Sequence, residues 1–104
     1  MKPLKITLVV AGLLTIAAAQ AEDAGLALAK KSGCLACHAQ DKKVLGPSYK
    51  DIAAKYKGQA GAETRLVAKV KNGGGGVWGS IPMPPSAQVS EADLHTLVKW
   101  VLSQ

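Results

Sequence analysis

The 104-residue chain has no Phe, and its two Trp and two Tyr bring aromatic content to only 4%. With so little ring area, a small core is short of bulk and something else must fill it. Two cysteines are too few for a disulfide framework. Acidic residues are sparse, 7 against 13 Lys and Arg, for a formal net charge of +6. The length admits one domain at most, which excludes barrels, doubly wound sheets and multi-domain enzymes. Apolar residues make up 48% of the chain, too many for a disordered one.

One long uncharged run opens the chain. Met1 to Lys5 is short and basic, Ile6 to Ala18 carries no charge, and Ala19-Gln20-Ala21 is an A-x-A site before Glu22-Asp23. Basic, then apolar, then small is the order of a secretory signal peptide. A membrane anchor would need about 20 apolar residues, more than this run supplies. The expected organisation is a cleaved leader over 1–21 and one domain over 22–104. That domain keeps eleven of the basic residues and all seven acidic ones, with Met83 as its sole methionine. A core alone gives a domain of this size only ~3–5 kcal/mol, so a staple or a large prosthetic group is expected.

Four segments read as helices and none as a strand. Ala24 to Ser32 is rich in Ala, Leu and Lys and stops at Gly33, which suits a left-handed cap. Ser48 to Tyr56 follows Pro47 and places Tyr49, Ile52 and Tyr56 at i, i+3 and i+7. Ala62 to Asn72 sets Leu66 and Val70 four apart and closes on Asn72-Gly73. The last helix has Ser90 as its cap, Asp93 as the capping-box acid and Val89 as a staple onto Leu94. Its apolar stripe runs Leu94, Leu97, Val98, Val101 and Leu102, with Trp100 on the flank. Between the last two helices lies an irregular stretch, Gly73 to Gln88, long enough in so small a domain to suggest function.

Cys34-Leu35-Ala36-Cys37-His38 is a C-x-x-C-H sequence, the attachment signature of c-type haem. Two thiols three positions apart reach two vinyl groups on one porphyrin edge, and the next side chain turns its imidazole under the iron. The porphyrin would supply both the staple and the missing aromatic bulk. Three rivals use the same cysteines. A zinc site drawing on Cys34, Cys37, His38 and His95 lacks a paired second half. A thioredoxin-like dithiol wants strands, and a plain disulfide leaves His38 and the long loop without a purpose.

With His38 on one side of the iron, the opposite side falls to Met83, His95, a lysine or nothing. Met83 sits in Ile81-Pro82-Met83-Pro84-Pro85, where the prolines fix φ and hold the chain extended, a rigid frame for presenting one thioether. Methionine more commonly fills a core gap. His95, just off the stripe of the last helix, reads as a boundary or surface residue. Gly74-Gly75-Gly76-Val77-Trp78-Gly79 matches G-x-G-x-x-G, but a helix precedes it and prolines follow, so it is no dinucleotide site. Its glycines instead cap the third helix and let the chain pass close to the porphyrin. The Trp78 indole N–H suits a haem propionate and equally suits ordinary packing.

Together with Gly46-Pro47, Tyr49-Lys50-Asp51, Gly58 to Glu63, Lys71-Asn72-Gly73, Val77-Trp78-Gly79 and Lys99 to Gln104, these motifs resemble a small bacterial class I cytochrome c of the cytochrome c-551 type. The resemblance spans essentially all of 22–104. It implies an all-α class I cytochrome c fold, about four helices wrapped around one covalently attached haem. It further implies haem c bound through thioethers at Cys34 and Cys37, with His38 and Met83 as axial ligands. Pro47 would offer its carbonyl to the second imidazole nitrogen, and Trp78 would bond a propionate. Leu35, Ala36, Val44, Leu45, Pro84 and Pro85 would ring the exposed haem edge. This chain departs from the pattern at Ser86, where the family often has an Asn that bonds the methionine sulfur, and by one extra residue near Gln88.

With both axial positions filled there is no place for substrate, so the expected role is a one-electron shuttle in the periplasm rather than an enzyme. His/Met ligation would hold its potential high. The expected partners are a periplasmic nitrite reductase, terminal oxidase or peroxidase, and an upstream quinol-oxidising complex, met by a diffusing monomer without nucleic acid. A basic rim around the haem edge would steer acidic partners. The rival role is a five-coordinate haem protein acting as a peroxidase or gas-binding module.

Overall fold

The computed structural model describes residues 1–4 and 24–104. The expected cleavage after Ala21, and all of the leader but its first four residues, lie outside them. The described residues hold four α-helices: α1 over 24–31, α2 over Tyr49–Tyr56, α3 over Ala62–Asn72 and α4 over Glu91–Leu102. A single 3-10 turn, Cys34–Ala36, follows α1. No strand forms among the described residues, and antiparallel pairing is confined to two isolated bridges, His38 with Lys43 and Gly74 with Met83. The all-α expectation holds.

Helix limits follow local chemistry. α1 ends at 31, one residue earlier than its composition suggests, because Ser32 and Gly33 already turn; Gly33 takes φ 77°, the left-handed cap expected of it. Ser48 is the cap of α2 rather than its first residue. Its hydroxyl accepts a hydrogen bond from the Asp51 amide at 3.1 Å, satisfying one of the free donors of the first turn. Ser90 does the same for α4, accepting from the Asp93 amide at 3.2 Å.

α4 is the organising element. Leu94 and Val98 meet Val67 of α3, while Leu97 and Trp100 meet Tyr49 of α2 and Ala29 of α1. Val89, the expected staple, packs against both groups. Trp100 therefore belongs to the core and not to the flank of the stripe: it is 5% exposed, edge-on to the Tyr49 ring at 5.1 Å. Gly25 of α1 lies directly against the indole, so close that a Cβ there would overlap Trp100 Cγ and Cβ. That contact lets α1 cross α4 at backbone distance. α3 splits its apolar residues, with Val67 turned to α4 and Leu66 and Val70 left partly free for the space on the other side.

Candidate functional site

That space is a cavity of about 460 Å³ enclosed by α2, α3, α4, the C-x-x-C-H turn and the long loop. Its volume is in the range of sites for small molecules and cofactors. The walls are aliphatic and aromatic: Ile52 and Tyr56 from α2, Leu66 and Val70 from α3, Leu97, Val98 and Val101 from α4. Cys34, Cys37, His38, Pro47, Trp78 and Met83 all line it, although as many as 49 positions separate them in sequence. The fold thus brings together the two cysteines, both expected axial ligands, Pro47 and Trp78; of the residues expected to ring the haem edge, Leu45 and Pro84 also line the cavity, whereas Leu35, Ala36, Val44 and Pro85 do not.

The 3-10 turn over Cys34–Ala36 places both cysteines on the cavity wall, and His38 follows with its amide bonded to the Cys34 carbonyl at 3.0 Å. His38 Nδ1 lies 2.7 Å from the Pro47 carbonyl oxygen. A carbonyl only accepts, so Nδ1 carries the proton and Nε2 keeps its lone pair. Gly46 presses on the same ring: a Cβ there would stand 2.6 Å from His38 Cε1. Tyr49 stacks against the imidazole, centroids 5.3 Å apart and planes 24° off parallel. The Cys34 thiol is pushed up from its ordinary pKa by burial, partly offset by the Tyr49 hydroxyl acting on its sulfur. Burial first, and the neighbouring Cys34 second, raise Tyr49 far above the usual phenol range, so it stays protonated.

Met83, also on the cavity wall, is held by the backbone. Its amide donates to the Gly74 carbonyl and its carbonyl accepts from the Gly74 amide, both at 2.9 Å. Ser86 adds a third tie, donating its amide to the Val70 carbonyl at the end of α3 at 3.0 Å. Gly73, the cap of α3, has φ 70° and ψ −160°, and a Cβ on it would run into the Met83 carbonyl and stand 2.8 Å from Pro85 N. The glycine run therefore serves α3 and the methionine loop, not a nucleotide. Trp78 lines the mouth with Lys55 Nζ 5.6 Å above its ring, a cation–π contact linking α2 to the loop.

His95 stands apart, on the far side of α3 and α4, with Nδ1 2.8 Å from Glu63 Oε1. It cannot complete a tetrahedral set with Cys34, Cys37 and His38. What remains is a deep apolar slot with two thiols on one wall, an imidazole nitrogen free to coordinate and a thioether on a rigid loop. The donor set is soft sulfur and imidazole, suited to iron in a porphyrin. Gly46, Tyr49 and Gly73 belong to the motifs, and Tyr49 also to the α2 stripe, but nothing in the sequence marks their contacts with His38 and the Met83 loop. Only the resemblance places a group, the Pro47 carbonyl, behind the histidine.

Comparison with known proteins agrees with this chemistry. The family model described as Cytochrome c matches residues 22–104. The chain is 55% identical to cytochrome c-551 of Pseudomonas aeruginosa, over 100% of this chain and 99% of that protein. It is 57% identical to cytochrome c-551 of Allochromatium vinosum, over 76% of this chain and 84% of the relative. The crystal structure of wild-type Nitrosomonas europaea cytochrome c552 superposes with a TM-score of 0.73 at 52% identity, covering 75% of this chain and 96% of that one. Sequence, cavity and relatives converge: the chain belongs to the cytochrome c family, a small electron carrier rather than an enzyme, with one haem c joined to Cys34 and Cys37.

Proposed function

We propose that His38 and Met83 are the two axial ligands and that the protein shuttles single electrons in the periplasm after removal of residues 1–21. The observation that carries this reading is the convergence of His38 and Met83 on one cavity, each locked by backbone contacts. When bound, the haem supplies one reversible electron at its iron. The chain's contribution is to hold two ligands still. The Pro47 carbonyl keeps the proton on Nδ1 and raises the donor strength of Nε2. The Gly74 clasp and the prolines keep Met83 from swinging away between oxidation states. Apolar walls exclude water and disfavour the more highly charged ferric form, which together with thioether ligation holds the potential high. Trp78 is proposed to donate its indole N–H to a propionate at the mouth.

Electron exchange needs an exposed edge. Val44 and Leu45 are solvent-exposed beside the histidine turn, with Lys42 and Lys43 next to them and Lys30 and Lys31 on α1. Such a surface suits acid-rimmed redox proteins. The partners proposed are a periplasmic nitrite reductase, terminal oxidase or peroxidase downstream and a quinol-oxidising complex upstream, each met by the monomer. Among the described residues no helix is long and apolar enough to cross a membrane.

Met83→Ala tests the ligand assignment. It opens one face of the iron, abolishes the sulfur-to-ferric-iron charge-transfer band, admits carbon monoxide and lowers the reduction potential. A variant that keeps the parent spectrum and potential overturns it. Ready carbon monoxide binding by the unmodified protein would instead favour the five-coordinate peroxidase or gas-binding role.

A further inference from the structure

We propose that Tyr49 is a positioning residue for the iron ligand, fixing the plane of the His38 imidazole. This rests on His38 being an axial ligand and goes beyond that assignment. The hydrogen bond from Nδ1 to the Pro47 carbonyl pins one atom of the ring, yet a single contact at an edge leaves the ring free to rock about it. The face of the ring is what must be held, and Tyr49 covers it with its own ring 5.3 Å away and 24° from parallel. Gly46 closes the Cε1 side, where no Cβ fits. The imidazole is thus bounded at one nitrogen, one edge and one face.

Tyr49 is itself well placed to act as a stop. It is the first residue of α2, directly after the Ser48 cap, and is 4% exposed. Trp100 meets it edge-on at 5.1 Å, and Trp100 is in turn wedged against Gly25. The chain of contacts runs from the α1–α4 crossing through two aromatic rings to His38. Its phenol lies beside the Cys34 sulfur, the atom that would become a thioether on haem attachment. In a chain with four aromatic residues, two are spent on this stack. Packing bulk alone does not need a flat ring parallel to the histidine; a branched or flexible aliphatic fills space equally well.

The test uses the ferric holoprotein, whose haem methyl proton shifts depend on the orientation of both axial ligands, the His38 imidazole among them. Tyr49→Met keeps most of the volume and removes the flat face; the methyl shift order or spread should change and the His38 ring signals broaden. Tyr49→Phe keeps the face and should restore the parent pattern. A Tyr49→Met holoprotein with the parent shift pattern overturns the proposal, as does a Tyr49→Phe variant as altered as the Met one. Should Tyr49→Met take up no haem, the unmodified protein decides. A ring clamped between His38 and Trp100 flips slowly and gives separate signals for its two edges, whereas one averaged pair overturns the clamp. Absence of hyperfine-shifted His38 signals in the parent would defeat the ligand assignment itself, a different result from an unmoved variant.

Discussion

At the scale of single residues, glycine carries as much of the site as the groups that touch haem. Gly73 adopts φ 70° and ψ −160°, a region that only glycine enters without strain, and it does so against the backbone of the methionine loop. Gly73→Ala therefore costs about 1–3 kcal/mol from the dihedral alone, and the Cβ must push Met83 and Pro85 away. Denaturation of the holoprotein should show that loss, and the methionine-to-iron band should weaken with it. An unchanged band would mean that the loop yields elsewhere. The same logic makes Gly46 intolerant of a side chain, since the His38 ring occupies the space. Lys55 over Trp78 is a weaker contribution, as expected for an exposed cation–π pair.

At the scale of elements, α4 explains both what was legible in the sequence and what was not. Its start was plain: Val89, Ser90 and Asp93 announce a capped helix, and the Ser90 hydroxyl does bond the Asp93 amide. Its stripe was read too narrowly. α4 packs on α3 along Leu94 and Val98 and on α2 and α1 along Leu97 and Trp100, so its buried arc is wider than one seam. Trp100 was thereby misplaced on the flank. The signal that could have corrected it, Gly25, sits 75 positions away and has no meaning until α1 crosses α4. Likewise Tyr49 read as one member of a helical stripe, because stacking on His38 is a tertiary fact. The C-x-x-C-H turn was legible because covalent attachment demands particular residues in a short span, and Met83 stood out because prolines on both sides of it hold the chain extended. Gly25→Ala tests the crossing: overpacking there costs ~1–3 kcal/mol, a fall in Tm of roughly 4–8 °C per kcal/mol for a domain of this size. A parental Tm would show that the helices separate without cost.

At the scale of the whole molecule, the scarcity of aromatics and the apolar cavity are one fact. α4 packs on α1, α2 and α3, but across the cavity α2 and α3 leave Ile52, Leu66 and Val70 partly exposed, where a porphyrin would complete the core. Charge belongs to this scale as well. Residues 22–104 carry eleven basic against seven acidic side chains, with lysines flanking Val44 and Leu45. Association with an acidic redox partner should therefore slow as salt rises and the screening length shrinks to about 8–10 Å near physiological ionic strength. Stopped-flow electron transfer across an ionic-strength series checks this, and a rate indifferent to salt removes the steering role.

The central claim is that one haem is gripped by His38 on one side and Met83 on the other. Met83 is the only methionine in residues 22–104, so methyl-labelling methionine gives the holoprotein cut after Ala21 a single signal. In the ferrous protein that methyl should appear far upfield, displaced by the ring current of the porphyrin directly beneath it. A methyl resonance at the ordinary position for a free methionine side chain would contradict the account.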